Sequence, residues 1–205
     1  MAHSPQLLLI TDTPLRADLE TVLSQALKGG SFDLLLRDKS ASAATLVAVA
    51  RRLKPILHAA GGRLLIHDRV DIALTTAADG VHLPEAGLTS AEARYLLGPI
   101  PLLGRSCHET THARQHLLHG GNYVTLSPVF ATASHPDATP LGVTRFATMR
   151  ADIPGPVLAL GGIHGGNVRA ALEAGATGVA LIRGIFNAPD PAEATWHISR
   201  AIQGT

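Results

Sequence analysis

The sequence predicts an α/β chain closed into a (β/α)8 TIM barrel, and three observations lead there. Short apolar runs of about four residues alternate with longer Ala/Leu-rich stretches of helical character along the chain, the pattern of βαβ units around a parallel sheet. The apolar side chains are aliphatic: 46% of the 205 residues are hydrophobic but only 3% are aromatic. Such a core suits strands buried on both faces better than an aromatic-rich sandwich. Finally, the strands number eight, many for an open sheet of this length, and no G-x-G-x-x-G follows the first of them. A doubly wound open sheet is therefore the weaker alternative, and one barrel over residues 1–205 is expected.

The elements follow in order. Residues 7–11 (LLLIT) read as the first strand, and 18–27 as a helix ended by Gly29-Gly30. Residues 32–36 form a strand running into Arg37-Asp38-Lys39, and 42–60 a long helix stopped by Gly61-Gly62, with Pro55 a candidate kink. Strand 63–66 leads into His67-Asp68-Arg69, and 70–77 is a short helix. Strand 80–83 precedes helix 89–97, with Thr89 or Ser90 as N-cap. Strand 102–104 enters Arg105-Ser106-Cys107-His108, before helix 110–119. Strand 123–126 opens a long loop, 127–142, followed by helix 144–150. Strand 157–160 meets Gly161-Gly162 and helix 167–174; strand 178–182 and helix 191–202 end the series. The stretches ADGV (78–81), GNYV (121–124) and ATGV (176–179) echo one another as helix-end, turn and strand-start.

Composition narrows the function class. Net charge is +1 with histidines neutral, and no Lys/Arg run occurs, which argues against nucleic acid or a membrane surface as partner. No apolar stretch reaches the roughly 18 residues of a membrane span, and no signal peptide is read at the N-terminus. The lone Cys107 excludes an internal disulfide and a cysteine-based zinc site. A soluble cytoplasmic protein is expected. Of the 11 histidines, His108, His112, His116 and His119 fall on one helical face, which reads as a polar stripe rather than a metal site because only Glu109 is near.

In such a barrel the chemistry sits at the C-terminal ends of the strands. That rule gathers Arg37 and Lys39, His67 and Asp68, His82 and Glu85, Ser106 and His108, the 127–135 loop, Gly161 and Gly162, and Arg183 and Gly184 on one rim. Strand, Gly161-Gly162, then helix is how a backbone builds an anion site, since glycines admit close approach of main-chain N–H groups. Loops after strands seven and eight are the usual phosphate site of these barrels. A phosphorylated small molecule is the expected ligand.

The segments LLLITD (7–12), LLRDK (35–39), IHDRVDIA (66–73), DGVHLP (79–84), GRSCHE (104–109), SPVFATASH (127–135), LALGGI (158–163) and GATGVALIRGI (175–185) resemble, in order, those of the thiamine phosphate synthase/TenI family. The resemblance implies the (β/α)8 fold, a place in thiamine biosynthesis and a thiazole-phosphate pocket formed by Gly161, Gly162, Arg183 and Gly184. It implies that Arg37 and Lys39 hold a pyrimidine diphosphate, that Asp68 ligates Mg2+, that Ser106 acts in catalysis, and that Thr132 and Ser134 contact substrate. It is also compatible with a homodimer.

The chain departs from the family pattern at five places. Leu35 stands for a Gln, His67 for an Asn, Gly87 for a second metal-ligating Asp, Pro128 for the His of TenI, and His135 for a Lys. The domain fused to some Nudix hydrolases carries similar Ser-Cys-His and Leu-Ser-Pro-Val segments. Three readings stay open. A TenI-like thiazole tautomerase would need no metal and would use His135 or His67, or else His82 or His108, as proton-transfer base. A thiamine-phosphate synthase would join a pyrimidine diphosphate to the thiazole phosphate with Mg2+ and release pyrophosphate. A non-catalytic phosphate-ligand binder is the third. A Cys107–His108 reactive pair is not expected, because neighbours after a strand point apart.

Overall fold

The computed structural model describes residues 4–133 and 137–204. Eight parallel strands close in sequence order into one barrel: β1 (Leu7–Ile10), β2 (Asp33–Leu36), β3 (Leu64–His67), β4 (Gly80–Leu83), β5 (Leu102–Cys107), β6 (Tyr123–Leu126), β7 (Val157–Leu160) and β8 (Gly178–Leu181). Around them lie α1 (Leu19–Leu27), α2 (Ala43–Ala59), α3 (Val70–Thr76), α4 (Ser90–Leu97), α5 (Thr110–Leu118), α6 (Gly142–Ala151), α7 (Val168–Glu173), α8 (Arg183–Phe186) and α9 (Pro191–Gln203). Closure leaves no sheet edge, and both faces of each strand can be buried.

Strand periodicity sorts the side chains. Leu7 and Leu9 face the helices, whereas Leu8 and Ile10 face the barrel interior with Leu35, Leu65, Leu102, Tyr123, Leu158 and Ala180. Each such Leu removed from water contributes on the order of 1.5–3 kcal/mol. The floor of the barrel is closed by charge: Asp33, at the start of β2, accepts from Arg63 Nη2 at 2.6 Å and from the Arg63 backbone N–H at 2.9 Å. Midway up, Gly104 leaves room for two larger neighbours. A Cβ there would lie 2.3 Å from the Tyr123 ring and 2.6 Å from His82 Nδ1.

Local chemistry explains the element ends. Thr89 caps α4 through a capping box with Glu92. Ser42 accepts from Thr45 N–H at the start of α2, and Asp190 with Pro191 opens α9. Helix α2 continues through Pro55. Two features differ from the sequence reading. β5 extends to Cys107, so Arg105 and Ser106 are strand residues. A one-turn helix, α8, follows β8; its four residues were too few for periodicity to reveal. Trp196 is 46% exposed, with the Arg200 guanidinium 5.1 Å over its ring. Among the described residues no helix is long and apolar enough to cross a membrane.

Candidate active site

The ends of β1, β2 and β3 bring cations and carboxylates to one quadrant of the rim. Thr11 and Arg37 are tied by two backbone–side-chain bonds: Thr11 Oγ1 donates to Arg37 O and accepts from Arg37 N, both at 2.7 Å. That clamp orients the half-buried Arg37, whose Nη1 reaches Thr13 Oγ1 at 3.4 Å. Asp38 is spent on the loop, accepting from the Leu15 N–H and from Ser40. Lys39 is exposed beyond it.

His67 points inward, because Leu65 before it belongs to the interior cluster and Ile66 to the outer one. Its pKa is pushed down to about 4, first by burial and then by the positive charges of Arg37 and Lys39, with Asp68 partly opposing them. It is a neutral imidazole at pH 7. Asp68 sits at φ 63°, a left-handed conformation, and its N–H donates to His82 O at 3.0 Å. A Cβ built on Gly87 would fall 3.5 Å from Asp68 Oδ1. The space beside the Asp68 carboxylate is thus the space a side chain at 87 would enter.

Glu85 does not fill it. Its carboxylate is engaged by His112 Nδ1 at 3.1 Å and faces His108 Nε2 at 3.7 Å, while its backbone oxygen, with those of Pro84 and Leu88, accepts from Arg105. The histidine stripe therefore splits: His108 and His112 flank Glu85, His116 is buried between Ser90 and the Leu103 carbonyl, and His119 is exposed. Among the described residues no group of three His, Cys, Asp or Glu could hold a metal ion unaided. Cys107 faces the helices, fully buried, and burial pushes its thiol up to about 12, so it is no reactive thiolate.

Deeper in the mouth, β4, β5 and β6 line up a polar row. His82 is 1% exposed and lies between Tyr123, whose hydroxyl is 3.0 Å from Nδ1, and Ser106, whose Oγ is 3.0 Å from Nε2. Burial, and then the neighbouring His67, His116 and Arg105, keep His82 neutral. Thr125 is in register with Ser106. It is fully buried, and its Oγ1 is the one buried side-chain polar atom among the described residues without a hydrogen-bond partner.

Across the mouth a cleft of about 440 Å³ is lined by Thr132, Gly161, Gly162, His164, Arg183 and Gly184, among others. Gly161 and Gly162 have φ of 101° and 64°, conformations that L side chains disfavour. The β6–α6 loop lies directly on them, with Phe130 N–H donating to Gly161 O at 3.0 Å. Asn167 pins the following turn, donating to Gly162 O and accepting from His164 N–H, both at 2.8 Å. Arg183 is held by Asp12, Nε to Oδ2 at 2.8 Å. Burial raises the Asp12 pKa, but the Arg183 and Thr13 hydrogen bonds and the charges of Arg183 and Arg37 bring it net below the ordinary value.

Two groups of expected site residues thus gather at the barrel mouth: Arg37, Lys39, His67 and Asp68 on the β2–β3 side with Ser106 beside them, and Thr132, Gly161, Gly162, Arg183 and Gly184 on the β7–β8 side. Ser134 and His135 lie outside the described residues. The sequence reading passed over Asp12, Tyr123 and His164. Asp12 was visible as the residue after the first strand; nothing local marks Tyr123, whose partner is 41 positions away.

Comparison with known proteins places the chain in a family. The family model described as thiamine monophosphate synthase matches residues 7–185. A Geobacter sulfurreducens protein, provisionally named thiamine-phosphate synthase, is 45% identical over 177 residues, 86% of this chain and 83% of that one. The thiamine-phosphate synthase of Syntrophomonas wolfei is 39% identical over 188 residues, 90% of each chain. The solved thiamine phosphate pyrophosphorylase from Pyrococcus furiosus superposes with a TM-score of 0.87 at 28% identity, over 97% of this chain and 96% of that one. With a family model spanning most of its length, this chain belongs to the thiamine monophosphate synthase family of enzymes.

Proposed function

We propose that the protein is a thiamine-phosphate synthase, joining hydroxymethylpyrimidine diphosphate to thiazole phosphate with Mg2+ and release of pyrophosphate. The names of its relatives support this reading over the thiazole tautomerase. The structural observation that supports it is the state of two of the four candidate bases, His67 and His82. A tautomerase needs a general base with a pKa near the working pH. His67 has been pushed down to about 4, and His82 is locked between Tyr123 and Ser106. Coupling, by contrast, asks for cations at a leaving diphosphate and for exclusion of water, and the Arg37–Lys39 quadrant and the leucine-lined interior offer both.

In this reading the bond from the pyrimidine methylene carbon to the diphosphate oxygen breaks, its electron pair leaving with pyrophosphate. The thiazole nitrogen then donates its lone pair to that carbon. Arg37 and Lys39 hold the diphosphate and match its growing charge. Thr132 and the Gly161–Gly162 turn hold the thiazole phosphate across the mouth, with Arg183 fixed by Asp12. Mg2+ commonly binds through one or two carboxylates plus substrate phosphates, and the donors present fit only that form: Asp68 would hold the ion, with the diphosphate completing its ligands. When bound, the ion neutralises the departing oxygens.

Calorimetric titration with the pyrimidine diphosphate, followed by pyrophosphate release on adding thiazole phosphate, tests this. We expect diphosphate binding only with Mg2+, pyrophosphate released in step with coupling, and a loss of at least tenfold in Asp68→Asn. Mg2+-independent isomerisation of a thiazole phosphate with no pyrophosphate formed would restore the tautomerase.

A further inference from the structure

We propose that Tyr123 and His82 are positioning residues that turn the Ser106 hydroxyl into a fixed hydrogen-bond donor, aimed at an anionic oxygen of the substrate; the oxygen's identity, a diphosphate oxygen, rests on the synthase reading above. The argument is a count of protons. Tyr123 is buried and its phenol is held neutral by burial, with Asp33 adding to the effect. His82 is 1% exposed and each of its ring nitrogens faces a hydroxyl rather than a carboxylate, surroundings that favour the uncharged ring. Each therefore brings one proton to a row of three groups joined by two contacts of 3.0 Å.

Only two arrangements are available. In the first, Tyr123 Oη–H donates to His82 Nδ1, and His82 Nε2–H donates to Ser106 Oγ. In the second, both bonds run the other way, and the Tyr123 proton is left without an acceptor among the described residues. An unmet buried donor is heavily disfavoured. The first arrangement satisfies every member of the row and leaves the Ser106 proton unspent. Thr125, in register with Ser106, does not take it, since its Oγ1 has no partner. Ser106 is half-buried at the mouth, so its free O–H is available to a group that enters there.

The polarity is opposite to that of a serine nucleophile. There the imidazole takes the serine proton; here Nε2 already carries one. The chain reserves space for this row, because any side chain larger than that of Gly104 would strike Tyr123 and His82 together. His82 and Tyr123 touch no ligand themselves and act through Ser106.

Long-range 1H–15N spectra of the ligand-free protein read the tautomer directly, with the His82 signal assigned by its loss in His82→Gln. We expect the Nε2–H form; the Nδ1–H form overturns the inference whatever reaction the protein catalyses. Tyr123→Phe keeps the ring, and we expect it to give mixed His82 tautomers and about tenfold weaker inhibition by Mg2+-pyrophosphate, with the KM for thiazole phosphate unchanged. Ser106→Ala should lose at least as much, and the double variant no more than Ser106→Ala alone. Additive losses would show that Tyr123 is merely structural and sink the relay. A wild-type protein that releases no pyrophosphate would sink the synthase reading and leave the tautomer result standing.

Discussion

Gly162 sits at φ 64°, and a Cβ there would come within 2.3 Å of the Ala131 carbonyl oxygen and 2.9 Å of Phe130 Cβ. Neither neighbour can retreat without moving the β6–α6 loop off the cleft. Gly162→Ala is therefore expected to destabilise the fold by about 1–3 kcal/mol and to raise the KM for thiazole phosphate at least tenfold, as steady-state kinetics would show; an unchanged KM would separate this turn from phosphate binding. The Gly-Gly turn was legible because two adjacent glycines after an apolar run have few other uses. Gly104 was not: it also stands among strand residues, but its reason is a contact with Tyr123, 19 positions on, that no local pattern displays. The same holds for Glu85, whose nearness in sequence to Gly87 does not make it a stand-in for the carboxylate missing there. Its two histidine neighbours come from the β5–α5 region and hold it away from that task.

At the scale of elements, short strands and their helices were readable to within a residue or two, since an aliphatic run and a glycine stop are both local signals. β4, β6 and β7 have the expected limits. β5 does not, because Arg105 and Ser106 are polar and read as loop. The structure gives the reason for Arg105: it faces outward from β5, is 7% exposed, and donates to the carbonyls of Pro84, Glu85 and Leu88. A strand residue thus ties down the β4–α4 loop, which carries Glu85 and sets Gly87 beside Asp68. Arg105→Ala would leave those three acceptors unmet and a cavity behind. An expected loss of about 2–4 kcal/mol in chemical denaturation should come with faster hydrogen exchange of the amides from 85 to 88, while exchange in β7 and β8 stays unaltered. Uniform acceleration across the barrel would mean that Arg105 supports the whole sheet rather than this loop.

Three imidazoles are buried in the fold and held neutral, a property that composition alone could not disclose, since a count of 11 histidines says nothing of which are buried. His67 and His116 are both pushed down to about 4 from 6.5, chiefly by burial, and His82 is driven well below its ordinary value. In the unfolded chain all three bind protons near pH 6.5. Between that pH and about 4 the unfolded state therefore holds more protons than the native state, so stability rises with pH through this window and is lost on acidification. Each group can contribute up to about 1.4 kcal/mol per pH unit there. Carboxylates act in the same direction but lower down: Asp12, Asp38 and Asp71 lie below 3.8 in the fold, and their stabilisation persists until the pH falls toward that value. The two effects separate on the pH axis. Urea midpoints measured from pH 7.5 to 4.5 are expected to fall steadily below about 6.5, before the carboxylates protonate, and a His116→Gln variant should start lower at pH 7.5 yet fall less steeply. A midpoint flat between pH 6.5 and 5 would mean that these rings take up protons in the native barrel, and it would remove the neutral His82 on which the orientation of Ser106 depends.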